Sequence, residues 1–348
     1  MRTKTITDFN LAAEKYLKVE NLPRDWEDNI EDNLYLEKRF LELVEQIDDS
    51  EKSYYVFRNS LGKIDTQFLI SKTEDNDIAM FTPFKVPVIM NSVYFPFTLS
   101  KPAGVFGGET KQEVSKFLRS IKGFKMILNV DENYTLDGFA RGLILPRCVL
   151  PIKWNSFEEY MSSLRSGYRR RYNIALNKSK DLNFYILKNN KLEFTEEMYK
   201  LYLDVYNNAP YKLGKVSIDF FRQDYFVILV LDNEDGTQGF AHLHENGDEL
   251  IFEFVGLDKQ NILTYDTYIR VLIEIVRYGI EKGFKSIDFG QTTDDAKLKL
   301  GCKYEMLYVL LNHSNPIINF FCKKMVSLLE YKPLDESSFH IFKENKEQ

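Results

Sequence analysis

Three cysteines in 348 residues, Cys148, Cys302 and Cys322, share no CxxC spacing, so neither a disulfide framework nor a zinc knuckle organises the chain. Long apolar runs are missing too. The longest, such as Phe226 to Leu231, reach about six residues, against the roughly 18 that a membrane span needs. Met1 to Thr5 lead into no hydrophobic region, so no secretory signal is expected. Positive charge is not in excess: 46 Lys and Arg against 52 Asp and Glu leave a net −6. That balance argues against a protein binding nucleic acid or an anionic membrane over its whole surface, and leaves only a local basic patch open. Low-complexity segments and long linkers are absent as well. These absences lead to the expectation of a soluble protein of a reducing, cytoplasmic compartment, with no membrane span.

Aromatic residues are abundant. With 27 Phe and 21 Tyr and a hydrophobic fraction of 44%, extended disorder is excluded and there is apolar mass for more than one core. At roughly 150 residues per domain the length predicts two. Leu34, Leu36, Phe40, Leu41, Val44 and Ile47 recur at helical spacing and stop near Asp48. A hairpin follows, Tyr54–Phe57 and Thr66–Ile70, then strand-like runs at Ile78–Phe81 and Val86–Met90, a helix over Gln112–Ile121 and a strand at Lys125–Leu128. The second half reads similarly. A helix over Ser156–Lys180 precedes a strand at Asn183–Leu187 and a helix at Thr195–Val205, and the stretch Asp219–Gln223 leads to the next strand. Strands follow at Tyr225–Leu231, Gly239–Glu245 and Glu249–Val255, the last two joined at Asn246-Gly247. A long helix over Thr264–Lys282, a strand at Ser286–Phe289 and a short helix at Asp294–Leu300 complete it. Helix, hairpin, strand, helix, strand occurs twice. The fold class expected is α/β with mixed sheets, in two tandem units divided at 1–150 and 151–348.

Two segments carry a resemblance. Trp154-Asn155-Ser156-Phe157-Glu158-Glu159-Tyr160, running through Leu164 to Tyr168-Arg169-Arg170-Arg171-Tyr172, resembles the opening helix of the acyltransferase domain of Fem-type peptidoglycan aminoacyltransferases and their acyl-CoA-dependent relatives. Phe289-Gly290-Gln291-Thr292-Thr293-Asp294-Asp295-Ala296-Lys297, continuing to Cys302, resembles the closing strand and helix of that domain. The family belongs to the GNAT superfamily, and its Fem-like branch carries two tandem GNAT units. The similarity covers about 151–325, and the first half matches in layout only. One departure is plain. GNAT enzymes hold the pyrophosphate of coenzyme A on a Gln/Arg-x-x-Gly-x-Gly/Ala turn. The stretch Asp258 to Asp266 has no glycine here, which leaves the amides of Ile262, Leu263, Thr264, Tyr265 and Asp266 to face a donor.

Several residues have both a chemical and a plain reading. Glu253 interrupts an apolar strand. It is either a general base, its pKa raised by surrounding phenylalanines, or a glutamate on a solvent-facing side. His242 and His244 share one strand face; a two-residue turn at Asn246-Gly247 brings Glu253 onto it, whereas a three-residue loop moves Glu253 to the other face. A substrate-binding or acid–base role, a metal site and ordinary packing are all open, and acyl transfer itself needs no metal. In Fem-like relatives a lysine occupies the position of Lys297, where it holds an anionic group or leaving-group charge; otherwise it is a surface lysine. Arg171 lies nearer the apolar face of its helix than Arg170 and either meets a ligand anion or belongs to an exposed basic surface. Tyr168, Gln291 and Thr292 join the substrate-binding set that the resemblance implies, and Thr292 or Thr293 can cap the helix that follows. Cys302 as an acyl carrier is outweighed by a packed small residue. Tyr265 and Tyr268 open the long helix, Tyr265 within its core stripe. The segment Pro316–Leu329 either closes the domain core or touches a membrane.

The activity expected is transfer of an acyl group from a thioester, acyl-CoA, to an amine by direct attack, the acceptor being a small molecule, a peptide or a peptidoglycan precursor. The rivals are a ligase drawing its aminoacyl group from tRNA and a GNAT-shaped binding protein without chemistry.

Overall fold

A computed structural model describes residues 13–30, 33–77, 87–95, 97, 100–209, 215–326 and 330–343. The strand-like run expected at Ile78–Phe81, and Val86, lie outside them. The chain begins with β1 (Ala13–Tyr16), α1 (Lys38–Ile47), β2 (Glu51–Arg58), β3 (Ile64–Asp77), β4 (Pro87–Val93), β5 (Gly104–Phe106), α2 (Lys111–Ser120), β6 (Phe124–Val130) and β7 (Ala140–Leu143). It continues through β8 (Arg147–Pro151), α3 (Phe157–Ser163), α4 (Ser166–Lys178), β9 (Asn183–Ile186), α5 (Asn190–Glu193), α6 (Glu196–Asn208) and α7 (Ile218–Phe221). The strands β10 (Val227–Asn233), β11 (Gly236–Asn246) and β12 (Glu249–Leu257) come next. Then follow α8 (Ile262–Tyr265), α9 (Thr267–Glu281), β13 (Ser286–Asp288), α10 (Asp294–Leu298), β14 (Lys303–Glu305), β15 (Tyr308–His313) and α11 (Pro316–Val326).

Two mixed sheets result, one in each unit, so the expected α/β class with two units is the one observed. The first has the order β1-β2-β3-β4-β6-β15-β7 with β5 on β3; the second runs β14-β8-β13-β12-β11-β10-β9. Each holds four antiparallel strands in sequence, then one parallel partner, β6 beside β4 and β13 beside β12. A helix lies between the parallel strands in the chain, α2 in one case and α9 in the other, as a parallel pair requires. The repeat in the sequence is thus a repeat of topology.

The units exchange chain ends. One comprises Met1–Leu145 and Met306–Lys332, the other Pro146–Glu305 and Pro333–Gln348. Residues 306–332, which the sequence division assigned to the second unit, supply β15 to the first sheet. Pairing between distant strands decides this, and no local pattern announces it.

The core of the second unit lies between its sheet and the helices α3, α4 and α9. Val271, Leu272, Ile275, Val276 and Ile280 of α9 meet Leu243, Leu250 and Ile287 of the strands, all buried. Each such side chain contributes about 1.5–3 kcal/mol by leaving water. The helix expected over Ser156–Lys180 is two helices. Ser156 caps α3 by accepting from the amide of Glu159, but Leu164 is extended (φ −67°, ψ 142°) and bridges Phe342. The amide of Arg165 donates to Ile341 O at 2.9 Å. A returning segment some 180 residues away breaks the helix, so helical spacing alone could not show it. Phe342 packs over Gly301, whose φ of +99° suits glycine and whose missing Cβ would stand 2.2 Å from the ring. The long helix expected from Thr264 is likewise divided, at Asp266 (φ 49°, ψ 41°).

In the first unit α11 departs from expectation. Val326 is buried, whereas Ile317, Phe320 and Phe321, expected to close the core, stand on the surface, as does Ile318. Leu328 and the side chain of Met325, part of the same expectation, lie outside what is described. Among the described residues no helix is long and apolar enough to cross a membrane.

Candidate active site

The hairpin β11–β12 turns through two residues, Asn246 pairing with Glu249, and this places His242, His244 and Glu253 on one face. The register then slips: Leu243 pairs with Phe252 but His242 with Phe254. Glu253 is the extra residue of a bulge, so Glu253 and Phe254 both turn toward His242. His242 Nδ1 stands 3.0 Å from Glu253 Oε2 and His244 Nδ1 3.5 Å from Oε1. Rings close around them. Phe226 lies 4.3 Å from the His242 ring centroid and 5.0 Å from that of His244, and Phe220 and Phe221 cover His242 from α7.

The Glu253 side chain is fully buried, while the residue as a whole keeps some exposure, so what solvent reaches is its backbone. The reason is in the sheet. β12 pairs with β13 only from Glu249 to Ile251 and then leaves it. From Phe252 onward, among the described residues, the outer edge of β12 has no strand partner. An opening follows, with the bulge at its apex.

Burial was expected to raise the pKa of Glu253, and the environment reverses this. Desolvation does push the carboxyl up, but the two imidazoles beside it outweigh that and bring it down to about 2. Burial lowers the pKa of His242 more than the carboxylate raises it, which favours a neutral ring. Among the described residues, His242 Nδ1 and Nε2 are both buried without a hydrogen bond of good geometry, so Nδ1 meets the carboxylate as a close charge contact. Both Nδ1 atoms lie within 3.5 Å of the carboxylate, and among the described residues no three His, Cys, Asp or Glu side chains are arranged to hold a metal ion.

The far wall of the opening is the loop after β13. Gly290, Thr292 and Thr293 all have positive φ (69°, 66° and 55°). Threonine is β-branched and seldom adopts this conformation, so the loop stores strain that its surroundings must hold. Lys297 is one such restraint. It is 3% exposed, and its Nζ donates to Gln291 O at 2.7 Å and Gly290 O at 3.3 Å. The surface-lysine reading is therefore wrong; desolvation lowers its pKa, against the neighbouring Cys148, Asp288, Cys302 and Asp294. Asp288 is the other restraint. It accepts from the amide of Gly290 at 2.7 Å and from Arg147 at 3.0 Å, and Arg147 also holds Glu249 and Glu305. Thr293 sits at the helix cap position without a side-chain cap bond, which corrects the capping expected of it. Burial pushes the Cys148 thiol up to about 12 and that of Cys302 well above its usual value, so neither supplies a ready thiolate.

The five residues proposed for the donor divide between α8 and the turn at Asp266. Leu263 is exposed, and Lys178 from α4 donates to its carbonyl at 3.2 Å and pairs with Asp266 at 3.0 Å. Beside Asp266, Arg170, Arg171, Gly167, Ile174 and Ile269 line a cavity of about 340 Å³. Arg170, read from the helical wheel as pointing away, therefore shares the cavity with Arg171. Neither arginine has an ion-pair or hydrogen-bond partner among the described residues. Tyr168, on the same helix, packs against the core. Tyr265 accepts from Asn233 Nδ2 at 3.2 Å.

Solved structures with a similar layout include three whose likeness to the chain is low. FemX is 10% identical over 78% of this chain and 90% of that one, with a TM-score of 0.48. L-PGS from Bacillus licheniformis is 13% identical over 79% and 89%, with a TM-score of 0.47. A tandem GNAT protein from the clavulanic acid biosynthesis pathway is 8% identical over 76% and 83%, with a TM-score of 0.39. No protein-family model matches the chain, and no curated protein matches it. The likeness is one of layout, and the chemistry rests on this chain's own residues.

Sequence reasoning missed the bulge, Arg147, Asp288 and the strained threonines. Gly290 was the one local signal for the loop. Arg147 and Asp288 look like ordinary strand-end charges until four strands, β8, β12, β13 and β14, meet there.

Proposed function

We propose that the chain is an N-acyltransferase that moves an acyl group from a thioester, acyl-CoA in the first instance, to an amine. The observation that carries this reading is the bulge at Glu253. One residue offers an accessible backbone at the head of an opening and a buried carboxylate between two imidazoles. The opening between β12 and β13 takes the thioester, and the accessible backbone of the bulge at its apex steadies the carbonyl oxygen as charge grows on it. The amine nitrogen attacks the carbonyl carbon, the N–C bond forms, the C–S bond breaks and the thiolate leaves. The surplus ammonium proton passes to the Glu253–His242–His244 cluster. A carboxylate held near 2 is a poor base at neutral pH, so Glu253 fixes the Nδ1–H tautomer and Nε2 of an imidazole accepts the proton. Lys297 and Asp288 position the Gly290–Thr293 loop, with Gln291 and Thr292 toward the substrate. The buried cysteines support direct attack without an acyl-enzyme. A cytoplasmic setting and a peptide or small-molecule amine acceptor belong to the same reading.

The test is release of free thiol from a panel of acyl-CoA species with a mixture of amines. Thioester consumption should fall at least about 100-fold in Glu253→Gln, the range of a lost acid–base unit. Consumption unchanged in that variant would refute the assignment, and none above background in the native protein would leave a binding protein.

A second reading draws on the unpaired Arg170 and Arg171 and the glycine-free turn. A polyanionic donor, aminoacyl-tRNA, suits an open arginine-lined cavity. Binding of tRNA that weakens steeply with salt, together with silence toward every CoA, would favour it.

A further inference from the structure

The helix α11 is built the wrong way round for a core helix. Its inner face is Asn319, Cys322 and Val326, at three- and four-residue spacing. Asn319 Oδ1 accepts from the amide of His313 at 3.0 Å and from Asn312 Nδ2 at 3.2 Å, while its Nδ2 donates to Gly138 O at 3.1 Å. Val326 lies against Gly142, where no side chain competes. The start is fixed as well, Asn315 Oδ1 accepting from the amides of Ile317 and Ile318. The helix is therefore held by polar bonds beneath it. Its outer face carries Ile317 (69% exposed), Ile318 (38%), Phe320 (54%) and Phe321 (56%). Four large apolar side chains on one short helix form a contiguous patch, unlike the scattered apolar residues any surface has.

Charge selects what covers it. The helix reads PIINFFCKKMV, with Lys323 and Lys324 and no acid. Lys324 Nζ lies 4.9 Å from the Phe320 ring centroid, so the cation rides beside the aromatic pair. A second copy of the same face would bring no carboxylate to these lysines, whereas an anionic lipid surface offers both hydrocarbon and negative charge. Eleven residues, about 16 Å of helix, are too short to span a bilayer but long enough to lie in its interface.

We propose that α11 is an interfacial helix that docks this protein on an anionic membrane surface, Ile317, Ile318, Phe320 and Phe321 entering the acyl boundary and Lys323 and Lys324 meeting the headgroups. The proposal is independent of the acyl-transfer reading.

The test is flotation of the full chain with vesicles of phosphatidylcholine alone or with about 30% phosphatidylglycerol. The native protein should partition at least about 10-fold more strongly onto the anionic vesicles. The double variant Phe320→Ser, Phe321→Ser should lose at least about 10-fold of that binding with its melting temperature little changed, since both residues are more than half exposed. Lys323→Gln with Lys324→Gln should remove the preference for the anionic vesicles. Equal flotation of the native and serine variants, or no flotation of the native protein, would overturn the proposal. So would a native dimer that the serine variant abolishes, because the face would then be an interface between copies.

Discussion

Replacing Glu253 by Gln tests the buried cluster through stability, independently of any substrate. The carboxyl titrates near 4.5 in an unfolded chain and is held at about 2 when folded. A depressed folded pKa means that the unfolded state binds more protons between the two values. The stabilisation is thus fully present above pH 4.5 and disappears as pH falls through 2. Its size is about 3 kcal/mol, and more than half is lost by about pH 3. Glutamine removes the charge and keeps the shape, so Glu253→Gln should cost up to about 3 kcal/mol at pH 7 and about half of that or less at pH 3. Urea unfolding followed by tryptophan fluorescence measures it. Trp154 packs on Tyr160 and Phe342 within the unit that contains the cluster, and Trp26→Phe in both proteins makes it the sole reporter. If the variant is as stable as the parent at pH 7, or the difference is the same at pH 7 and pH 3, the carboxylate is not held by the imidazoles and the reasoning fails.

Turnover should persist below pH 6.5 on the acid side, because burial keeps His242 neutral there; a profile whose acid limb lies above 6.5 would contradict this. Lys297→Met leaves Gln291 O without its donor and should lower stability by about 1–3 kcal/mol. Because the folded lysine has a lowered pKa, that penalty should be larger at about pH 10 than at pH 7, and melting curves at the two values read it. Gly301→Ala forces a Cβ into Phe342 at a positive φ and should destabilise by more than about 1 kcal/mol; Phe342→Ala in the same chain should recover only the part due to the clash, as a double-mutant cycle would show. Arg170→Glu with Arg171→Glu should raise the KM for an anionic donor at least about 10-fold with kcat little changed, and an unaltered KM would remove the cavity from the donor site.

The sequence by itself determined the local elements and their repetition. Alternating and helical spacing located the hairpins, the strands and most helix spans, because period 2 and period 3.6 follow from backbone geometry within a few residues. The Asn246-Gly247 signal located the hairpin, and the strand pairing places its two-residue turn at Gly247-Asp248, which brings His242, His244 and Glu253 onto one face. Tertiary structure alone decided what those residues are. Apolar neighbours suggested a raised pKa for Glu253, but two imidazoles arriving across the hairpin, and the bulge that turns the carboxylate to them, set the opposite direction. Leu164 belongs to a helical pattern and is extended because Phe342 pairs with it; β15 leaves its neighbours in sequence for the other sheet; and the apolar residues of α11 face outward because Asn319 holds the inner side. Each of these depends on a partner far away in the chain, and a pattern that repeats every two to four residues holds no information about such a partner.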